Sequence, residues 1–292
     1  MIKRIVKWVL IGLLTIIVGA GIAVYVFKDR IIQRVISEVN TYLKVPVQVE
    51  HIDIDFFHGF PRVAVRFDQV LVTSSFDETL LEADELHVLL NPISLARGGG
   101  DIDVIELTNA NVNIVIDKNG EPNYMIFENA NTEGEQQDGE GFSLKLVKLN
   151  NVLFNHQDAR TDVQVSLDLQ KLQGNLSWSQ GKLNNVISGR LKLNKYIQKS
   201  FQYTTLNTFD VEVSTSLHLP SSFILIAPST LKTGGAEIGV EGNISLKPGD
   251  QSIDLRLAAK NGSIQLLANL LPNNDAASIN EYQSTGEIQI DA

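Results

Sequence analysis

The densest group of chemistry-bearing side chains is His51-Ile-Asp-Ile-Asp-Phe-Phe-His58. At a period of two, His51, Asp53 and Asp55 share one face of a strand, and imidazole and carboxylate are ligand types that zinc accepts. A zinc site needs three or four groups converging with fixed geometry. The same pattern arises on the wet face of a strand whose Ile52, Ile54 and Phe56 point inward, so this segment reads as a half-buried strand, and no metal is expected. Other candidate chemistry is thinner. The chain has no G-x-S-x-G elbow, and its five histidines, at 51, 58, 87, 156 and 218, show no local pairing with a nucleophile. Zero cysteines exclude a thiol nucleophile, a disulfide framework, thiolate-ligated zinc and cysteine-ligated iron–sulfur centres. Asp117, Asn119 and Glu121 imitate the start of a calcium loop, but Pro122 stands where that loop needs glycine. They read as a turn. Glycines 98 to 100 lack the Lys-Ser/Thr of a phosphate loop. The expectation is a protein with no catalytic residues and no cofactor.

The elements that surround these residues carry more information. Trp8 to Phe27 is free of charge over 20 positions, and a helix of that length spans roughly 30 Å, the thickness of bilayer hydrocarbon. Lys3, Arg4 and Lys7 precede it, which favours an N-in orientation. It is longer than the apolar core of a cleaved signal peptide, so residues 1–28 are expected to form a retained anchor. Only five of the 24 basic and one of the 34 acidic residues fall in the first 30 positions, leaving −14 beyond them. An acidic body without a basic tract excludes sustained nucleic-acid binding, which rests on neutralised phosphates. Ile31, Ile32, Val35, Ile36, Val39, Tyr42 and Leu43 gather on one helical stripe. That amphipathic helix should plug one end of a sheet and stop before Pro46.

From there the chain reads as strands: 47–57, 62–72, 80–90, 102–107, 112–117, 143–149, 152–156, 161–169, 185–193, 209–219, 223–231, 236–246, 253–259 and 287–291. Val163-Gln-Val-Ser-Leu-Asp-Leu-Gln170 alternates without exception. Turn-forming sets at 109–113, 118–121 and 247–250 separate these strands, and short helices are expected at 263–271 and 275–282. Asn129 to Gly141 holds four acidic residues and nothing apolar larger than alanine, so it cannot repay the entropy of ordering. The expected organisation is therefore an anchor at 1–28, an amphipathic helix and first β module at 29–128, an acidic flexible linker at 129–141, and a second β-rich part at 142–292. The chain stops on a strand without a polar tail, which reads as a piece of a longer protein. The fold class is mainly β: a long curled, largely antiparallel sheet with room for an apolar groove, preceded by a transmembrane helix and an amphipathic helix.

Several motifs, in order, resemble the AsmA-like family of bacterial envelope proteins. They begin with the two helices leading into Tyr42-Leu-Lys-Val-Pro-Val-Gln-Val49 and the link Phe57-His-Gly-Phe-Pro61. Leu80-Leu-Glu-Ala-Asp-Glu-Leu-His-Val-Leu-Leu-Asn-Pro92 with Ile105-Glu-Leu-Thr-Asn109 is similar to the family's strand–loop–strand module. Asp117, Gly120 and Asn123-Tyr124 resemble its D-x-x-G-x-x-N-[WY] hairpin, Ser143 to Val152 repeats the strand pattern, and Asn261 to Pro272 is similar to its short helix ending in Leu-Leu-Pro. The resemblance implies an inner-membrane protein, single-pass through residues 8–27, with a periplasmic body related to bridge-like lipid transfer proteins. It implies no enzyme, and roles in phospholipid transport or outer-membrane assembly. On this expectation the partners are phospholipid or another acyl lipid, the inner membrane and other envelope assembly proteins. The residues expected to face lipid are Ile52, Ile54, Phe56, Val104, Val163, Val165, Leu167 and Leu169. The competing expectation is a periplasmic scaffold for outer-membrane assembly whose apolar face is filled by its own side chains. Members of the family are commonly much longer, so 292 residues are short for a bridge.

Overall fold

The computed structural model describes residues 32–33, 45, 47–55, 58–97, 101–125, 143–179, 181–204, 207–218, 223–234, 236–247, 250–263 and 287–291. The expected membrane segment, most of the amphipathic helix, the acidic linker and the two helices after residue 263 lie outside them. Among the described residues no helix is long and apolar enough to cross a membrane. Ile32 and Gln33 have helical backbone, with Ile32 packed on the core and Gln33 exposed.

The strands are β1 (Val47–Gln48), β2 (His51–Asp55), β3 (Val63–Thr73), β4 (Thr79–Leu90), β5 (Ile102–Ile116), β6 (Ser143–Asp158), β7 (Val163–Ser179) and β8 (Lys182–Gln198). They continue with β9 (Phe201–Tyr203), β10 (Thr208–His218), β11 (Phe223–Thr233), β12 (Ala236–Lys247), β13 (Asp250–Ser263) and β14 (Glu287–Asp291). A one-turn helix, α1 (Pro92–Ala96), joins β4 to β5. Asn91 caps it by accepting the N–H groups of Ile93 and Ser94 at 2.9 and 3.2 Å, and Pro92 supplies its first turn. All 14 strands belong to one sheet, ordered β1-β3-β4-β5-β6-β7-β8-β10-β11-β12-β13-β14, with β2 beside β3 and β9 beside β8. Most neighbours in sequence are neighbours in space, because short turns permit only antiparallel pairing. The sheet is open: β1 and β14 lie at its two ends.

One pair departs from this pattern. β5 and β6 run parallel, from Val104 beside Leu146 to Ile116 beside Asp158, so their connection is a crossover and not a hairpin. The expected boundary at 129–141 thus interrupts the chain but not the sheet. The turn expected at 109–113 is corrected. Those residues continue β5 without a break, and the later strands also run longer than their sequence patterns suggest, β7 by ten residues past Leu169.

The cause is a row of irregular residues. Gln69, Asn109 and Asn151 have positive φ, of 53°, 49° and 56°, in β3, β5 and β6. Each sits where pairing skips a position and the apolar residues change parity: Phe67 then Val70, Leu107 then Ala110, Leu149 then Val152. Asp84 and Gln170 occupy the same level in β4 and β7. A left-handed residue flips the alternation, and asparagine tolerates that conformation best after glycine. Because the flips align across five strands, one dry face survives them all. Two glycines mark similar constraints further on. Gly189 and Gly242 have φ of 142° and 145° inside strands, and a Cβ on either would collide with the neighbouring backbone at Lys171 or Asp254.

The C-terminal end of the parallel pair, where Ile116 lies beside Asp158, is pinned by polar groups. Asn123 is fully buried and acts as a surrogate strand: its amide donates to the carbonyl of Asn113 at 2.9 Å while its Oδ1 accepts from the N–H of Val115 at 3.0 Å. Its own carbonyl accepts from Ser75. Asp117 accepts the N–H groups of Asn119 and Glu121, both at 2.8 Å, which makes the expected turn. Asn123→Ala leaves a buried donor and acceptor unpaired, and should destabilise the fold by about 2 kcal/mol in urea denaturation followed by circular dichroism. At the end of β6, Arg160 grips Asp158 through Nε and Nη2 at 3.0 and 2.6 Å. Those hydrogen bonds, outweighing burial, hold the Asp158 carboxyl down to about 2. A depressed carboxylate stabilises above its ordinary value and loses that contribution as pH falls through the folded value. Arg160 is half exposed, so the contribution is discounted to about 1–2 kcal/mol. The stability gap between the wild type and Asp158→Asn should stay level from about pH 7 to 4.5 and shrink between about pH 4 and 2.

Candidate functional site

Register converts the alternation of each strand into rows that cross the whole sheet. One row runs Ile52, Phe67, Leu86, Leu107, Leu149, Leu172, Gly189, Val211, Leu231 and Ile238. It is apolar at every side chain over ten strands, and the pairing continues to Ala259 and Ile290. At roughly 4.8 Å per strand it is about 43 Å long from Ile52 to Ile238. A parallel row holds Val70, Ala83, Ala110, Val152, Leu169, Leu191 and Phe209, and another Val72, Leu81, Val112, Phe154, Leu167 and Leu193. One position over, on the opposite face, the row reads Asp53, Arg66, His87, Glu106, Lys148, Gln173, Ser188, Glu212 and Thr230. The sheet therefore has a dry face and a polar one.

Burial along the dry face is uneven. Near β3 to β6 a cluster including Val65, Val70, Val88, Leu107 and Val152 is buried, with Val45, Val47 and Leu95 packed on it. From β7 onward, Leu169, Val211 and Ala236 are the buried apolar side chains among the described residues. The rest of the row is half-buried, and Leu257 on the same face is exposed. Depressions of about 720 and 440 Å³ open beside Arg190, Asp210 and Lys232 on the polar face.

Of the residues expected to face lipid, Ile52 and Ile54 lie on the dry face, as do Val163, Val165, Leu167 and Leu169. Phe56 lies outside the described residues. Val104 is corrected: it sits on the opposite face, buried in a small apolar patch with Ala64, Leu89 and Leu146. Ile105 and Leu107 take its place, because Asp103 is skipped where Leu89 pairs with Val104 and Leu90 with Ile102. The C-terminal half of the row, from Val211 to Ile238, was within reach of the same alternation, but only the pairing order shows that it joins the N-terminal half.

The patch around Leu89 is roofed by the turn after β2, where Gly59 comes so close that a Cβ would overlap the Leu89 side chain. The turn brings polar groups onto the sheet. His58 stacks on His87 with ring centroids 4.0 Å apart and planes 14° apart. Its Nε2 lies 2.9 Å from Glu106 Oε2, which also receives Lys148 at 3.3 Å, while Asn150 donates to Oε1 at 2.9 Å. Beside it Asp103 pairs with Lys145 at 2.6 Å and Arg62 at 3.2 Å. Burial opposes the charge on Glu106 and Asp103, yet the hydrogen bonds and cations around them prevail and hold both carboxyls below the ordinary value. Burial, and then the His58 charge, lower the His87 imidazole, against the pull of Glu85, Glu106 and Asp55. His51 stays exposed on β2 and takes no part. Sequence spacing pairs Asp55 with His58 but cannot bring in His87 or Glu106, which arrive through β4 and β5.

No family model matches the chain, and neither a curated protein nor a solved structure matches it. Removing the hub of the polar cluster should be costly. Glu106→Ala strands three donors and should lose about 2–3 kcal/mol in urea denaturation, whereas Lys145→Ala, at an exposed partner, should lose less than about 1 kcal/mol.

Proposed function

We propose that this protein shelters phospholipid acyl chains on the dry face of its sheet while the polar face stays in water. The observation that carries the reading is the continuous apolar row from Ile52 to Ile238, half-buried rather than sealed from β7 onward except at Val211. A globular β protein buries such a face against a second sheet, but here all 14 strands among the described residues belong to one. Each methylene removed from water gains roughly 0.8 kcal/mol. A sixteen-carbon chain half covered by the row would thus gain about 6 kcal/mol, sufficient for residence and weak enough for passage along equivalent rows.

The remaining parts of the reading follow from the sequence. Residues 8–27 tether the body to a bacterial inner membrane, the −14 body lies in the periplasm, and the lipid surface begins at the strands nearest the tether. The motif order that resembles the AsmA-like family leads to the same place: non-enzymatic lipid transport or outer-membrane biogenesis, with further envelope proteins extending the path. The curled groove belongs to this proposal.

Photo-crosslinking separates the two faces. A benzophenone amino acid at Leu172 or Leu231 should capture radiolabelled phospholipid in intact membranes, while the same probe at Gln173 or Ser188 should not. Leu231→Asp, which places a charge in the row, should reduce the Leu172 crosslink several-fold. Equal labelling from both faces, or crosslinks to protein alone from Leu172, would favour a scaffold whose dry face is filled by a partner.

A further inference from the structure

We propose that Asp55, His58 and His87 form a binding site for one divalent transition-metal ion, zinc by preference, on the polar face at the start of the sheet. A carboxylate oxygen of Asp55 and one ring nitrogen from each histidine lie within 4.8 Å of one another. The three come from β2, the turn after it and β4, so an ion joining them would staple the turn over the apolar patch around Leu89.

Three independent features of the cluster suit a metal. First, His87 is 3 % exposed, and its Nδ1 is buried without a hydrogen-bond partner. Such an orphaned acceptor or donor is costly, and a cation would pair it. Second, Glu106 engages Nε2 of His58 at 2.9 Å. A carboxylate that accepts a hydrogen bond from one imidazole N–H leaves the other nitrogen with its lone pair, the arrangement that orients ligating histidines. Third, the ligand types are right. Two imidazoles and a carboxylate with a fourth position for water match a zinc coordination set. Asp55 already accepts the backbone N–H of His58 at 3.0 Å, and a carboxylate has further lone pairs for an ion. The two rings are stacked face to face. Ligation tilts them until their lone pairs converge, drawing the donor atoms to about 3.3 Å, the edge of a tetrahedron with arms of about 2.0–2.1 Å.

The site lies on the face opposite the apolar row, so its test is independent of lipid binding. The untagged full-length protein, purified in mild detergent and stripped of metal, is titrated with zinc against a chromogenic chelator at pH 7.5. The expected result is one equivalent bound with micromolar or tighter affinity and a rise in Tm. His58→Gln and His87→Gln should each weaken binding at least 100-fold, and Glu106→Gln by about 10- to 100-fold. His51→Gln and His156→Gln should leave it unchanged. If His87→Gln fails to fold, His58→Gln in the half-exposed turn and Asp55→Asn carry the test. Cobalt(II) adds a direct readout, since a four-coordinate site gives an intense visible absorption that the His58→Gln protein should lack. Absence of saturable zinc binding to the wild type, or binding kept in both His58→Gln and Asp55→Asn, would overturn the proposal.

Discussion

A sheet with one dry face must keep that face away from water, and this constraint governs the molecule. In a sandwich the problem is solved by a second sheet. Here the described strands line up in a single open order, and the apolar row crosses ten of them from Ile52 to Ile238. Near the N-terminal end the face is covered by residues such as Ile32, Val45 and Leu95. Further along it is only half-buried by its own neighbours. The functional reading rests on that gradient: a covered start and a long surface on which an apolar ligand can lie.

Keeping one face dry over these long strands requires aligned corrections, because the apolar residues of each change parity partway along it. The row through Gln69, Asp84, Asn109, Asn151 and Gln170 supplies them at one level. Had the flips fallen at different heights, each misplaced stretch would have turned its leucines and valines to the polar side. The parallel pairing of β5 with β6 belongs to the same solution. Ile105-Glu-Leu-Thr-Asn-Ala110 and Val147-Lys-Leu-Asn-Asn-Val152 lie side by side, so the two left-handed asparagines are adjacent and Asn151 donates to Asn109 at 2.7 Å. Asn155 bridges Asn111 and Asn113 in turn. Like strands stacked in register place like irregularities together.

Much of this was legible from residues alone. Alternation in 163–170 and in the strands near 62–72 and 80–90 locates the dry face, and the repeat of a Leu-x-Asn motif in 105–109 and 147–151 hints at like strands. What misled was the parity change. Asn109 to Asn113 has the composition of a turn, and only the neighbouring strands show that it continues β5 past a single left-handed residue, Asn109. Val104 was misplaced for a related reason, since the skip at Asp103 shifts the face by one residue. The polar cluster was half visible. His51, Asp53 and Asp55 do share the wet face of β2, but the groups that meet Asp55 come from the following turn and from β4, and no local spacing encodes that meeting. Tertiary pairing, not residue type, decides which polar groups converge.

The central claim is that acyl chains occupy the dry face, and density on that face tests it most directly. Cryo-electron microscopy of the full-length protein in lipid nanodiscs should show elongated, tube-like density along the row through Leu172, Val211 and Leu231, running across the strands. Side chains of another protein element filling that row, or a dry face folded shut upon itself, would contradict the account.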